Sequence, residues 1–127
     1  MIHLDTNFLI DLITVGSPGG EKIRSWLSAG ESVTTSAVAW SEFCNGPLSK
    51  AQKDAAFAVL DRKISDFTWR EAEEAARLFN LSGRRRGSHA DCMIAAAAIV
   101  SGVPLATFNT LDFERLVPFG LILESTQ

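Results

Sequence analysis

Cysteine is scarce in this chain: only Cys44 and Cys92 occur among 127 residues. That is far below the density of a disulfide-stapled scaffold, and no Cys-x-x-Cys pair is present. Both cysteines lie among apolar neighbours and are expected to be reduced core side chains. His89 and Cys92 stand three apart, but two ligands fall short of the four that a structural zinc site uses. Long apolar runs are also lacking. The longest candidate, Cys92 to Val100, covers nine residues, whereas a membrane-spanning helix takes roughly 18 to 20. The start Met1-Ile2-His3-Leu4-Asp5 has no basic lead, apolar stretch or small-residue cleavage site, so no secretory signal is expected and the cytoplasm is the expected compartment. An excess of positive charge is missing as well. The net charge is −3, which argues at first against a nucleic-acid partner, because such binding is dominated by lysine and arginine contacts to phosphate.

What is present is the profile of a compact soluble protein, with 46% hydrophobic and 21% charged residues and apolar residues spread along the whole length. The length suits one domain over residues 1–127, and no repeat, low-complexity stretch or linker divides it. Ile2 to Leu4 reads as a short buried strand ending at Asp5. Thr6 to Val15 carries Phe8, Leu9, Leu12 and Ile13 on one helix face, and Gly16-Ser17-Pro18-Gly19-Gly20 breaks it. Glu21 to Ala29 repeats the helical spacing, with Gly30 as its C-terminal cap. Ser32 to Val38 is rich in β-branched residues and reads as a strand running into a helix over Ala37 to Cys44, stopped by Asn45-Gly46-Pro47.

Further on, Ala51 to Leu60 and Trp69 to Leu81 read as amphipathic helices, with a third short strand at Ile64 to Phe67 between them. Ser82, Gly83 and the run Arg84-Arg85-Arg86 form a basic loop. Ser88 is placed to cap the next helix, with Asp91 at the third helical position, and Cys92 to Val100 is apolar all round, as suits a central helix. Leu105 to Thr107 reads as a strand, Leu111 to Leu116 as a helix and Leu121 to Leu123 as a last strand. This alternation predicts an α/β fold with a parallel sheet.

In open parallel α/β sheets, ligands bind beyond the carboxyl ends of the strands. Asp5, Asp91 and Asp112 are placed for that rim, and Glu42 follows the second strand on its helix. Clustered carboxylates repel one another and raise one another's pKa unless something positive joins them. A hard divalent cation with oxygen ligands does so, and in such a site it supports phosphodiester hydrolysis. Setting these four aside leaves 11 of the 15 acidic residues against 12 basic ones, so an acidic pocket in a near-neutral surface is compatible with a phosphate-bearing substrate. Taken singly, each acid has an ordinary explanation: Asp5, Asp91 and Asp112 as helix-terminal residues, Glu42 as a solvated one. Two other chemistries fare worse. Asn7 removes the second acid of an Asp-x-Asp phosphatase, and the glycine-rich segment at 16–20 lacks the Gly-Lys-Ser/Thr of a P-loop.

The order of these residues resembles the PIN-domain ribonucleases, and among them the VapC toxins of bacterial toxin–antitoxin pairs. Four blocks carry the resemblance: Asp5-Thr6-Asn7 with Phe8-Leu9-Ile10; Ser36 to Glu42; Ala90-Asp91-Cys92-Met93-Ile94-Ala95-Ala96; and Thr107-Phe108-Asn109-Thr110-Leu111-Asp112-Phe113. The resemblance implies a three-layer α/β/α domain with a short, mostly parallel central sheet. It also implies a Mg²⁺ or Mn²⁺ site on Asp5, Glu42 and Asp91, and endonucleolytic cleavage of RNA. Asn109 stands where some relatives carry an acid while Asp112 is retained, so either residue completes the set. Thr6 and Thr107 match the family's hydroxyl positions around the site, with Asn7 beside them.

The resemblance further implies a VapB-like antitoxin whose C-terminal segment crosses the site and places an arginine among the carboxylates, and a homodimer that assembles with it into a larger complex. Trp26, Trp40 and Trp69 supply apolar surface for such contacts. Arg84, Arg85 and Arg86 read either as a solvated helix end or as a groove contact for RNA phosphates. The competing reading of the whole chain is a PIN module that has lost catalysis and only binds RNA or a partner.

Overall fold

The computed structural model describes residues 1–126; Gln127, counted in the expected domain, lies outside the described residues. Three parallel strands are found, β1 (Ile2–Leu4), β2 (Val33–Thr35) and β3 (Leu105–Ala106), in the order β2-β1-β3. Ile2, His3 and Leu4 pair with Val33, Thr34 and Thr35 on one side, and His3 and Leu4 pair with Leu105 and Ala106 on the other. Every strand residue is buried, as expected when helices cover both faces of a parallel sheet. The chain adds β2 on one side of β1 and β3 on the other. The order of the sheet therefore reverses across β1, and the crevice that forms at such a reversal lies beyond Leu4 and Ala106.

The helices are α1 (Thr6–Leu12), α2 (Pro18–Ser28), α3 (Ala37–Cys44), α4 (Lys50–Val59), α5 (Trp69–Leu81), α6 (His89–Ser101) and α7 (Thr110–Glu114), followed by a 3₁₀ turn at Val117–Phe119. Around the sheet they make the α/β/α arrangement expected from the sequence. α1 packs on α2 and α3, and α5 lies along α6. In α6, Cys92, Ile94 and Ala95 to Ala98 are all buried. Their small side chains let a neighbouring helix approach closely, and the apolar faces of α5 (Ala75, Leu78) and α1 (Phe8, Leu9) complete the core.

Several elements depart from expectation, each for an identifiable reason. Ile64 to Phe67 is not a strand: only Ser65 bridges, to Ser36, because Asp61 and Arg62 turn the chain with positive φ just before it and the α5 cap at Thr68 follows. Leu121 to Leu123 is likewise reduced to a Leu105–Leu123 bridge, since β3 is two residues long and offers nothing more to pair with. Helix α1 ends at Leu12 rather than Val15. The glycine-rich segment does separate the two helices, but its last three residues, Pro18 to Gly20, already belong to α2. Ser17 caps it by accepting from Gly20 N at 3.2 Å, Pro18 occupies the first turn, and Gly19 N donates to Asp11 Oδ2 at 2.8 Å. A Cβ on Gly19 would lie 2.6 Å from Asp11 Cβ, so the close approach of α1 and α2 there requires glycine.

Ser88 does not cap α6 with its side chain; its Oγ donates to Arg85 O at 2.7 Å instead. Cys92 is buried, but Cys44 is exposed at the end of α3.

Candidate active site at the carboxyl ends of the strands

Asp5 follows β1 directly and caps α1, its Oδ1 accepting from Thr6 N at 2.7 Å. Its other oxygen, Oδ2, accepts from the Thr107 hydroxyl at 2.7 Å. Thr107 is only 1% exposed and also accepts from Asn109 N at 2.9 Å, so the loop after β3 is tied to the end of β1 through one hydroxyl. Burial pushes the Asp5 carboxyl up from its usual range; the bonds from Thr107 and Thr6 oppose that shift, and the charge of Glu42 adds to it.

Glu42 comes from α3 on the other side of α1. Its Oε1 accepts from the Thr6 hydroxyl at 2.7 Å. Thr6 thereby touches two of the predicted acids, Asp5 with its backbone and Glu42 with its side chain. Asp91 sits in the first turn of α6 and is half-buried. Its carboxyl is pushed up to about 6, first by burial, then by the charges of Asp5, Asp112 and Glu42, with Arg115 opposing. The charges of the other three predicted acids thus bear on Asp91.

Asp112, in the first turn of α7, is engaged by one cation and one amide. Its Oδ2 accepts from Asn109 Nδ2 at 2.8 Å and its Oδ1 lies 3.6 Å from Arg85 Nη1. A cleft of ≈ 60 Å³ opens beside it, lined by Arg85, Arg86, Gly87, Ser88, Asp91, Asp112 and Arg115. Of the three consecutive arginines, two line this cleft. Arg84 is turned away, bonded to Asn80 and stacked over the Phe79 ring at 5.4 Å. Asn7 accepts weakly from Phe108 N, at 3.5 Å.

Arg115 was not singled out from the sequence. Its Nε donates to Asp112 O at 2.9 Å, while its Nη1 is buried without a partner. The only sequence signal was its position three residues after Asp112, the spacing at which helical side chains are neighbours.

The donor set is oxygen throughout, three carboxylates with a fourth from Asp112 or an amide oxygen from Asn109, the chemistry preferred by Mg²⁺ and Mn²⁺, and the repulsion bearing on Asp91 is what a divalent cation relieves. The residues therefore fit such an ion chemically. They do not form a ready cage: among the described residues, no group of three or more His, Cys, Asp or Glu side chains is arranged to hold a metal. An ion that keeps several waters and takes one or two direct carboxylates suits a set this open. His89 is not drawn into it and meets the Phe79 ring edge-on at 5.9 Å.

A family model for the PIN domain matches residues 2–117. The chain belongs to the PIN-domain family. Solved structures with the same fold include VapBC2 from Rickettsia felis bound to a DNA fragment from its promoter, at 23% identity over 98% of both chains and a TM-score of 0.73. A toxin–antitoxin complex from Klebsiella pneumoniae matches at 24% identity, 89% of this chain and 90% of that one, with a TM-score of 0.71. FitAcB from Neisseria gonorrhoeae matches at 22% identity over 99% of this chain and 98% of that one, with a TM-score of 0.73. No curated protein sequence matches the chain significantly. No helix of the described residues is long and apolar enough to cross a membrane.

Proposed function

We propose that this PIN domain is a Mg²⁺- or Mn²⁺-dependent endoribonuclease that hydrolyses RNA phosphodiester bonds and acts in the cytoplasm as the toxin of a toxin–antitoxin pair. The observation that carries the reading is the way the acids are held together: Thr107 donates to Asp5, Thr6 joins Asp5 to Glu42, and Asp91 and Asp112 line one cleft. Family membership and the toxin–antitoxin complexes that share the fold support it.

Asp5, Glu42 and Asp91 would hold the ion, with Asp112 or Asn109 completing the set. When bound, the divalent ion polarises a water and offsets the charge that builds on the phosphoryl oxygens. The chain's own residues do the rest. Thr107 fixes the orientation of Asp5, and Thr6 fixes that of Glu42. Arg85, Arg86 and Arg115 face the cleft beside Asp91 and Asp112, where guanidinium groups attract the phosphate backbone and hold it against the acids.

The partner is a VapB-like antitoxin that supplies an arginine to the carboxylates, and the toxin forms a homodimer within a larger assembly. Trp69, 64% exposed, is the tryptophan offered most openly for such contacts, whereas Trp26 stacks on Phe8 and Trp40 packs against Phe43 and Phe57.

The open spacing of the carboxylates is the observation that favours the second reading, a PIN module that binds RNA or a partner without cleaving. Incubating the purified protein with total cellular RNA, in Mg²⁺ and in chelator, and mapping the new ends separates the two. New ends that appear only with Mg²⁺ support the nuclease, and intact RNA in both supports the binding module.

A further inference from the structure

The loop between β3 and α7 carries a ring that neither the acids nor the arginines account for. Phe108 is 43% exposed, an unusual place for a phenylalanine unless the surface is used. One face of the ring is covered. It stacks on the fully buried Phe8 with centroids 4.3 Å apart and an interplanar angle of 7°, and Phe8 stacks in turn on Trp26 at 5.7 Å. The exposed area therefore belongs to the other face and the edge. A column of three rings fixes the plane of Phe108 and leaves one flat apolar surface to solvent.

The placement of that surface is specific. Thr107, the residue before it, donates to Asp5; Asn109, the residue after it, donates to Asp112; and its own N–H points to Asn7 Oδ1. Asp112 in turn pairs with Arg85, which lines the basic cleft. A strand whose phosphates lie along Arg85 and Arg86 thus has a fixed aromatic face within its reach at the rim of the acids.

Resting on the nuclease reading above, we infer that Phe108 is the stacking platform for an unpaired nucleobase of the RNA, next to the phosphodiester held at the carboxylates. Every base has a π-face, so such a platform tolerates sequence while demanding a single strand, and purines stack on it more strongly than pyrimidines. Its rigidity matters: a ring already immobilised by Phe8 loses little freedom on binding.

The test uses the full-length protein in chelator, so that binding is read without cleavage, and fluorescent single-stranded decaribonucleotides (oligo-A, oligo-U, and oligo-A with one abasic nucleotide moved along it). Phe108→Leu keeps the apolar cover over Phe8 but removes the stacking face, and Phe108→Tyr restores it. Thermal melts confirm that both variants fold. Phe108→Leu is expected to weaken oligo-A binding about tenfold and to erase the preference over oligo-U, with Phe108→Tyr close to wild type. One abasic position should cost the wild type about tenfold and cost Phe108→Leu nothing further. Binding that Phe108→Leu leaves unchanged, or an abasic profile identical in the two proteins, overturns the inference and leaves the ring as a contact for a protein partner, with the nuclease reading intact. If the wild type binds none of the oligonucleotides, this inference and the RNA reading fail together.

Discussion

The hydroxyl of Thr107 donates to Asp5 Oδ2 at 2.7 Å across 102 positions of sequence, joining the ends of two adjacent strands at the reversal point of the sheet. Because the same oxygen accepts from Asn109 N, it orders the loop that presents Phe108, Asn109 and Asp112. Thr107→Val preserves the shape and removes both bonds. Partners of this kind behind a metal ligand are worth about 10- to 100-fold in activity or metal affinity. A drop of that size in RNA cleavage is expected, along with a loss of about 1–3 kcal/mol in denaturant stability from the unpaired groups.

Asp91 yields a prediction with a definite sign. Its folded-state carboxyl is raised to about 6 from an ordinary 3.8, so the metal-free protein is penalised once the pH rises through 6, where the folded state must ionise a group that resists it. Asp91→Asn removes that penalty. The metal-free variant should melt higher than wild type at pH 7.5, with the gap closing by about pH 4, while losing cleavage. Adding Mg²⁺ should raise the wild-type melting temperature and leave the variant's little changed. A variant that melts lower at pH 7.5 would contradict the repulsion described here.

His3 acts in the opposite direction. Burial in the central strand lowers its imidazole to about 4 from 6.5. The neutral ring therefore stabilises the fold fully above pH 6.5, and that contribution drains away as the pH falls toward 4, by up to about 3 kcal/mol. His3→Gln should flatten the acid limb of a urea-midpoint profile between those values.

The three consecutive arginines separate into two groups. Arg85→Ala and Arg86→Ala should each reduce the slope of log affinity for single-stranded RNA against log salt by about 0.7, the value of one phosphate contact. Arg84→Ala, whose guanidinium is occupied by Asn80 and Phe79, should leave the slope unchanged.

How much of this was legible in the sequence depended on whether the deciding contact was local. The bounds of α5 follow from periodicity and the Thr68 cap, which are local signals, and Asp91 stands third in α6 although the Ser88 side chain does not cap that helix. Three of the acids could be placed from local signals, because Asp5 follows a strand directly and Asp91 and Asp112 stand in the first turn of a helix; Glu42, the sixth of the eight residues of α3, has no such signal and was named from the order of the sequence blocks. What escaped depended on partners far along the chain. The start of α2 was obscured because Gly19 and Gly20 resemble a break, while their real constraint is the close approach of Asp11. The bridges at Ser65 and Leu123 looked like strands because nothing in those segments reveals how short their partners are. Arg115 and the Phe8–Phe108 stack exist only once α7 and the loop after β3 have folded over the site.

Asp5 is where these relationships meet, and the most direct measurement is single-turnover cleavage of RNA in Mg²⁺ by wild type and by Asp5→Asn. That substitution keeps the side-chain volume and one acceptor, for Thr6 N, turns an amide N–H donor toward the Thr107 hydroxyl, which can accept from it, and removes the charge. Since outer partners of a metal ligand already cost 10- to 100-fold, the loss here should exceed about 100-fold with the melting temperature retained. Cleavage at the wild-type rate by a folded Asp5→Asn protein would contradict the account.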